Sequence, residues 1–536
     1  MVLSPLSLWK NYDRKVMPLD ITVIKENKEA EYLEQFVYFN GEASSNGCTR
    51  IFARFLTPQT PTDSVLVIMA EPHQTLESVD CTHILKNNIS VLLLDYAGDA
   101  FGHNRFTIYP RSLAFSNYDE STLFAPTETP YQSCWYIWAT VAMRGVTFCE
   151  EKGFSKIGLF GIGYGGAQMI KCAAACQGIL GAATLYSPGF LPPEDDPALL
   201  AMRVGINTAA YAACLKAPVF MLCCSNDDDK SLDDISEFCA QSSGYATYFA
   251  EPRTSRGRTP RIESNLEYFF SKMFNGEIQA KLYQNVAIKA AGRENKVYFS
   301  LSQSSDNPMA NQTEQTKPVK FDGGTLYFSQ GVKNPTYRNW RAIPLQKAGE
   351  DEYFAYTEVF SEKLFCAYAC LERNGFFIST PILKALPATL NVKAVKKEKK
   401  RLIYSSEMKI DDFFTSDQRV SPQIKEGPFG IEGIAANTLN TYKIGNEVYS
   451  GGANNTLQLL LYSPTAQEVT ISVIDNDNYN TYSCIKKVCP ENDWLKILVS
   501  AHDLKSLEGN LSGWDKALFL HIGAKEEVLV NSILWV

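Results

Sequence analysis

The stretch that decides the fold is KIGLFGI (156–162), followed by Gly163-Tyr164-Gly165-Gly166 and then AQMIKCAAACQG (167–178). An apolar run, a glycine-rich turn and a small-residue segment of helical length read as strand, sharp bend and helix. Working outward, short apolar runs recur at 64–70 (SVLVIMA), 90–96 (SVLLLDY), 182–187 (AATLYS), 218–224 (PVFMLCC) and 245–251 (YATYFAE), with helix-length spacers between them. Runs this apolar sit in strands buried on both faces, and such strands alternating with helices form a parallel sheet with crossover connections. Residues 1–275 are therefore predicted to form one doubly wound, mostly parallel α/β domain. Ahead of it, EQFVYFNG and TRIFARFL predict two antiparallel strands around an Asn40-Gly41 turn and a polar tip, GEASSNGC.

Downstream the helical signal stops. NKVYFSLSQ, GTLYFSQG, EYFAYTEVF and FCAYACLERNGFFIS are rich in Tyr, Phe, Val and Thr and predict an immunoglobulin-like β-sandwich over 280–392. The basic run KAVKKEKKR (393–401) reads as a solvated linker or a lysine-blunted edge strand. A second all-β region, 405–536, contains TLQLLLYS, EVTISVID, WLKILVS, ALFLHIG and a terminal strand, EVLVNSILWV.

Composition excludes several classes. The chain has 536 residues, 51 basic against 59 acidic, and a net charge of −8, so no nucleic-acid partner is expected. No apolar run approaches the roughly 20 residues of a membrane span, so no membrane partner is expected either. The N-terminus MVLSPLSLWKNYDRKV lacks the pattern of a signal peptide, and cytoplasmic localisation is the expectation. Fourteen cysteines are too sparse for a disulfide scaffold. Neither Cys172/Cys176 nor Cys223/Cys224 has zinc-site spacing, so buried thiols with no metal and no cofactor are predicted.

The glycine-rich turn admits two readings. Gly161, Gly163 and Gly166 satisfy G-x-G-x-x-G, a phosphate cradle. That motif would follow the third parallel strand candidate instead of opening the fold, and Tyr186 and Ser187, not an acidic residue, end the next strand. The other reading is the nucleophile elbow G-x-S-x-G with glycine at the serine position. From about 35 to 275 the chain resembles the acetyl xylan esterase and dienelactone hydrolase branch of the α/β-hydrolases. The matching segments are VYFNG, TRIFARFL, Asp95-Tyr96-Ala97-Gly98, Thr107-Ile108-Tyr109-Pro110, the YIWATVAMRGV helix with Trp138, and LFGIGYGG.

The resemblance implies a serine nucleophile, an acid and a histidine, in that chain order. Here the nucleophile position is Gly163. Asp227, with neighbours Asp228 and Asp229, matches the acid. The histidine position falls in Pro252-Arg253-Thr254-Ser255-Arg256-Gly257-Arg258, and no histidine occurs from 104 through 501. The oxyanion loop is also altered, because Ala70-Glu71-Pro72-His73-Gln74 has no glycine after the histidine and Pro72 has no N–H. The expected crevice is lined by His73, Asp99, His103, Gly163, Tyr164, Asp227 and the arginine loop. Arg253, Arg256 and Arg258 either receive a carboxylate or phosphate or stand solvated.

The C-terminal region resembles jelly-roll carbohydrate-binding modules in NTYKIGNEVYSGGANNTLQLLLYSP and VLVNSILWV. The resemblance makes Tyr449, Tyr479, Tyr482, Trp494 and Trp514 candidates to stack on sugar rings. The opposing reading is that most of them are core. Asp475-Asn476-Asp477-Asn478 lacks the glycine and glutamate of a calcium loop and reads as a turn. Taken together, the expectation is a catalytically degenerate hydrolase that acts as a binding or scaffold protein toward a carbohydrate or other small-molecule ligand. The alternative is an active esterase on acetylated carbohydrate or small esters, using a displaced nucleophile such as Ser225, Ser255 or a cysteine.

Overall fold

A computed structural model describes residues 4–186, 188–190, 204–227, 231–277, 286–303, 321–349, 352–416, 422–489 and 492–536. The first strands are β1 (Thr22–Lys28), β2 (Tyr32–Ser44) and β3 (Gly47–Pro58), all antiparallel. The β2–β3 hairpin does not turn at Asn40-Gly41. It runs five residues further, to Ser45-Asn46, with a bulge between Asn40 and Ala43. Arg144 Nε donates to the Asn40 carbonyl at 2.8 Å and Arg50 Nη1 to its side-chain oxygen at 2.6 Å. Asn40 is thus fixed as a bulge position, and a bulge accommodates the turn-forming residues without ending the strand.

Then follow β4 (Ser64–Met69), α1 (Thr82–Lys86), β5 (Ser90–Leu94), α2 (Cys134–Glu151), β6 (Lys156–Ile162), α3 (Tyr164–Ala175), β7 (Ile179–Leu185), β8 (Val219–Cys224), α4 (Ser231–Gln241), β9 (Ala246–Glu251) and α5 (Pro260–Phe274). The strand order is β1-β2-β3-β5-β4-β6-β7-β8-β9, and all neighbours from β5 to β9 are parallel. Period-2 alternation along β6 explains the helix layers. Phe160 meets Phe270 of α5 at 5.6 Å between ring centroids, whereas Gly161 faces the α3 backbone, so helices cover both sides. Ser133 caps α2 by accepting from Trp135 N at 3.2 Å, and nearly the whole helix is buried.

The all-β stretch that follows is joined to this sheet. It contains β10 (Val286–Arg293), β11 (Lys296–Gln303), β12 (Gly323–Gln330), β13 (Arg341–Pro344), β14 (Gln346–Lys347), β15 (Tyr353–Thr357), β16 (Phe365–Arg373), β17 (Phe376–Ser379) and β18 (Leu383–Ala385). A four-stranded sheet, β10-β11-β15-β14, packs over β12 and β16 through Phe299, whose ring lies 6.1 Å from Phe328 and 6.0 Å from Phe365. The opposite layer, β17-β16-β12-β13, continues the large sheet because Ser379 of β17 pairs with Tyr248 of β9. Among the described residues one hydrophobic core accordingly includes side chains from Leu8 to Val392, with Phe274 and Val286 both in it.

Residues 392–401 form no strand and act as the linker. Lys397 pairs with Glu358 at 3.2 Å on one side, and Lys400 N donates to the Val448 carbonyl at 2.7 Å on the other. A second core, Ile403 to Trp535, belongs to a ten-stranded antiparallel arrangement. Its spine is the strand Ala517–Trp535, which pairs with Leu402–Ser405, Glu432–Thr441, Thr456–Tyr462 and Gln467–Asp475. No helix among the described residues is long and apolar enough to cross a membrane.

Candidate functional site

In open α/β sheets a ligand crevice forms at the carboxyl ends of strands where the order reverses. Here the chain leaves β4 toward β5 on one side and returns to β6 on the other, so the reversal lies between β4 and β6. Glu71 follows the end of β4 and Gly163 the end of β6. Gly163 has φ 54° and ψ −123°, the strained bend of an elbow, which glycine adopts without steric cost. Gly165 permits the close packing behind it, since a Cβ there would fall under 3.0 Å from the Met69 carbonyl oxygen. The glycine-rich turn therefore has a packing cause that requires no phosphate.

The space above Gly163 is filled. A Cβ built on this residue would fall under 3.0 Å from both carboxylate oxygens and Cδ of Glu71. The Glu71 carboxylate forms an ion pair with Arg256 Nη2, from the loop after β9 where a catalytic histidine would stand. The Arg256 guanidinium lies over the Tyr186 ring, 4.6 Å from its centroid, as a cation–π contact. Tyr186 follows β7 at φ 66°, an uncommon geometry for a bulky residue, and burial raises its phenol pKa. Glu71, Arg256 and Tyr186 thus fill the space above Gly163.

Asp227 lies in a loop docked on the strands that follow. Asp227 is buried, and its carbonyl accepts from Thr336 Oγ1 at 2.9 Å. Asn226 Nδ2 donates to the Thr336 and Arg338 carbonyls at 2.9 and 2.8 Å, so this loop is docked on the β12–β13 connection. Asp228 and Asp229 lie outside the described residues. Ser225 is fully buried; its hydroxyl donates to Asn226 Oδ1 at 2.8 Å and accepts from Arg253 N at 2.8 Å. Burial raises the pKa of the Cys223 and Cys224 thiols, the reverse of what an attacking sulfur needs. Ser255, on the arginine loop, is partly exposed.

The arginine loop is not a free anion cradle. Arg253 Nε donates to the Trp340 carbonyl at 2.7 Å, and its Nη1 lies 3.3 Å from Asp412. Arg258 pairs with Glu263, with Nη2–Oε2 at 2.9 Å, and Arg256 pairs with Glu71. Each cation anticipated for an external acid has an internal one. His73, Asp99 and His103 belong to the rim. His73 and His103 flank Phe101, at 6.5 and 5.9 Å between ring centroids, and Asp99 is exposed. Phe101 continues into Tyr118 (5.3 Å), Tyr164 (6.4 Å further) and Trp135 (5.3 Å), an aromatic wall leading from the surface to the elbow.

Of the C-terminal aromatics, Trp514 and Tyr482 are in the second core, and Trp514 packs on Trp535 at 5.0 Å. Tyr479 stacks on Tyr337 at 5.7 Å and accepts a hydrogen bond from Asn334 N at 3.3 Å, so it serves the contact between the two bodies. Tyr449 is half-buried beneath Lys443 Nζ at 4.6 Å. Trp494 Nε1 donates to the Pro428 carbonyl at 3.1 Å. These five do not form one stacking platform: Trp514 and Tyr482 are buried, and the other three are half-buried in loops. Asp475 Oδ1 accepts from the backbone amides of Asp477, Asn478 and Tyr479, a turn cap. Among the described residues no group of three metal-ligating side chains converges.

Two residues of this neighbourhood escape sequence reasoning. Glu71 looks like an ordinary loop carboxylate, and only its 185-residue contact with Arg256 gives it a role. Lys171, about two helical turns beyond the elbow on α3, is fully buried, with its Nζ 3.4 Å from Gln168 Oε1 and over the Trp135 ring at 5.0 Å. Burial lowers its amine pKa to about 7.

No protein-family model matches the chain, and no curated protein matches it. Among solved structures it is similar to an acetyl xylan esterase from Paenibacillus sp. R4, at 14% identity over 50% of this chain and 91% of that one, with a TM-score of 0.38. An acetyl xylan esterase from Thermoanaerobacterium sp. JW/SL YS485 is 14% identical over 48% and 88%, with a TM-score of 0.33. A glucuronoyl esterase from Solibacter usitatus is 12% identical over 50% and 91%, with a TM-score of 0.37.

Proposed function

We propose that this protein is a catalytically degenerate α/β-hydrolase that works by binding, with a carbohydrate as its ligand. The single observation that supports this most is the Glu71–Arg256 ion pair seated over Gly163. Acyl transfer needs an oxygen or sulfur to attack the carbonyl, an adjacent base to take its proton and donors aimed at the developing oxyanion. Position 163 offers no attacking atom, and the loop after β9 offers a guanidinium, which does not act as a base. A carboxylate at the oxyanion corner would also repel the charge that develops there.

The carbohydrate reading rests on the aromatic wall. Phe101 is 38% exposed and leads into half-buried Tyr118 and Tyr164, so an aromatic face is open at the crevice mouth. Such faces stack on the apolar side of pyranose rings while neighbouring polar groups meet the hydroxyls. A fluorogenic acetyl ester assay tests the loss of chemistry. The expected rate equals that of the heat-denatured protein, and turnover abolished by a serine or thiol reagent would eliminate the proposal.

A further inference from the structure

All fourteen cysteines are free, and two of them touch. Cys172 lies in the last turn of α3 and Cys176 is its C-cap, so their i, i+4 spacing stacks the two side chains on one face of the helix. The sulfurs are 3.7 Å apart, with the Cys172 thiol donating to Cys176 Sγ. Among the described residues no other two cysteine sulfurs share a hydrogen bond.

The two sulfurs differ in character. The bond that Cys176 accepts holds its thiol below the ordinary range in spite of burial; the Arg14 guanidinium reinforces this, and Glu150, the ion-pair partner of Arg14, opposes it. The same bond pushes the Cys172 thiol up, so Cys172 keeps its proton. Elsewhere burial drives thiols upward, as at Cys81, Cys134, Cys149, Cys239 and Cys370. A sulfur biased toward thiolate beside a protonated thiol supplies both an attacking and a resolving group. The pair also sits where the fold can yield. Cys176 is 7% exposed, and the chain leaves the helix there into exposed Gln177 and Gly178, the latter at φ 79°. A disulfide needs its sulfurs at about 2 Å. Closing the gap strains one backbone bond at the helix end, from Cys176 N to the Cys172 carbonyl at 2.8 Å.

We propose that Cys172 and Cys176 form a reversible oxidation site for hydrogen peroxide. The Cys176 sulfur attacks one peroxide oxygen and the O–O bond breaks, leaving a sulfenic acid on Cys176 and releasing hydroxide. The Cys172 sulfur then attacks the Cys176 sulfur: the S–S bond forms, the S–O bond breaks, and the sulfenic hydroxyl leaves as water with the Cys172 proton. In sum two thiols lose two electrons and two protons, and one peroxide is reduced to two waters. The pair lies at the end of α3 opposite the elbow, so the reaction is independent of what the crevice binds.

Peptide mapping of the native full chain, exposed briefly to hydrogen peroxide and then alkylated in denaturant, tests the proposal. Tryptic cleavage after Lys171 and Arg203 isolates residues 172–203, which contain these two cysteines and no other. That peptide is expected to be unalkylated and two hydrogens lighter, to recover with dithiothreitol, and to form at least about tenfold faster than any oxidation of Cys223 or Cys239. In a folded Cys172→Ala variant the Cys176 sulfenic acid should persist and be captured by dimedone. An unoxidised 172–203 peptide, a native Cys176 that proceeds to sulfinic acid without pairing, or no dimedone adduct in folded Cys172→Ala would overturn the proposal. So would oxidation of Cys223 and Cys239 at the same rate as the pair, which would place the reaction in the unfolded chain.

Discussion

Restoring the serine is the most informative perturbation, because the structure opposes it in two separable ways. In Gly163→Ser the new Cβ must adopt φ near 54°, where a side chain costs about 1–3 kcal/mol. The same atom collides with the Glu71 carboxylate, which has to leave Arg256. The Arg256 side chain is 38% exposed and that of Glu71 11%, so solvent screening keeps the lost ion pair to about 1 kcal/mol. The sum is a loss of about 2–4 kcal/mol. At about 2 °C per kcal/mol for a body of this size, the first unfolding transition should fall by roughly 4–8 °C in a thermal melt. The double variant Glu71→Gly with Gly163→Ser removes the collision, and its loss should be smaller than the sum of the single losses by about 1 kcal/mol or more. Neither variant should hydrolyse an acetyl ester, since the loop after β9 offers a guanidinium and no imidazole to relay the serine proton. An unshifted melt for Gly163→Ser, or additive losses in the double variant, would refute the claim that Glu71 fills the nucleophile's place.

Three further outcomes follow from other parts of the molecule. Lys171 has a folded pKa of about 7 against about 10.4 in an unfolded chain, so between those values the unfolded state binds the extra proton and stability rises with pH. The penalty is complete below pH 7 and fades toward pH 10; Lys171→Met should therefore raise the melting temperature at pH 7 and gain little at pH 10, and a gain independent of pH would contradict this. Arg338 is 2% exposed and bidentate to Asp233, at 2.5 and 2.9 Å, tying the β12–β13 connection to α4. Removing one partner of a buried pair costs about 3–5 kcal/mol, so Arg338→Ala should destabilise the first core in denaturant titration, whereas a loss below about 1 kcal/mol would show the pair to be dispensable. Deleting residues 531–536 removes Ile533 and Trp535 from the second core and should abolish its unfolding transition, and an unchanged transition would negate the packing role of that strand.

Much of the first half was legible because the information is local. Buried parallel strands such as Val219–Cys224 need uninterrupted apolar runs, and an elbow needs glycines at fixed offsets, so β6, its bend and α3 could be read directly. The continuity of the core past residue 275 could not, because it rests on Ser379 meeting Tyr248 and on Arg338 reaching Asp233, pairings between residues more than 100 positions apart. The same is true of Glu71 and Arg256. Gly163 stands where the resemblance expects a serine, but nothing near it in the chain says what fills the space. Trp514 and Tyr482 illustrate a different limit: an aromatic in a β-rich segment has the same appearance whether the fold turns it outward to a ligand or inward to a core. The hairpin tip was misplaced for a related reason, since Asn40-Gly41 suits a turn but also suits the bulge that Arg50 and Arg144 hold.

The central claim, that the hydrolase slot holds an ion pair instead of a nucleophile, is tested most directly by incubating the native protein with a fluorophosphonate and measuring its intact mass. The account predicts an unmodified chain after prolonged exposure, with the same result for Gly163→Ser. One stoichiometric phosphonate on the native protein, mapped to Ser225, Ser255 or any other hydroxyl in the crevice, would contradict it.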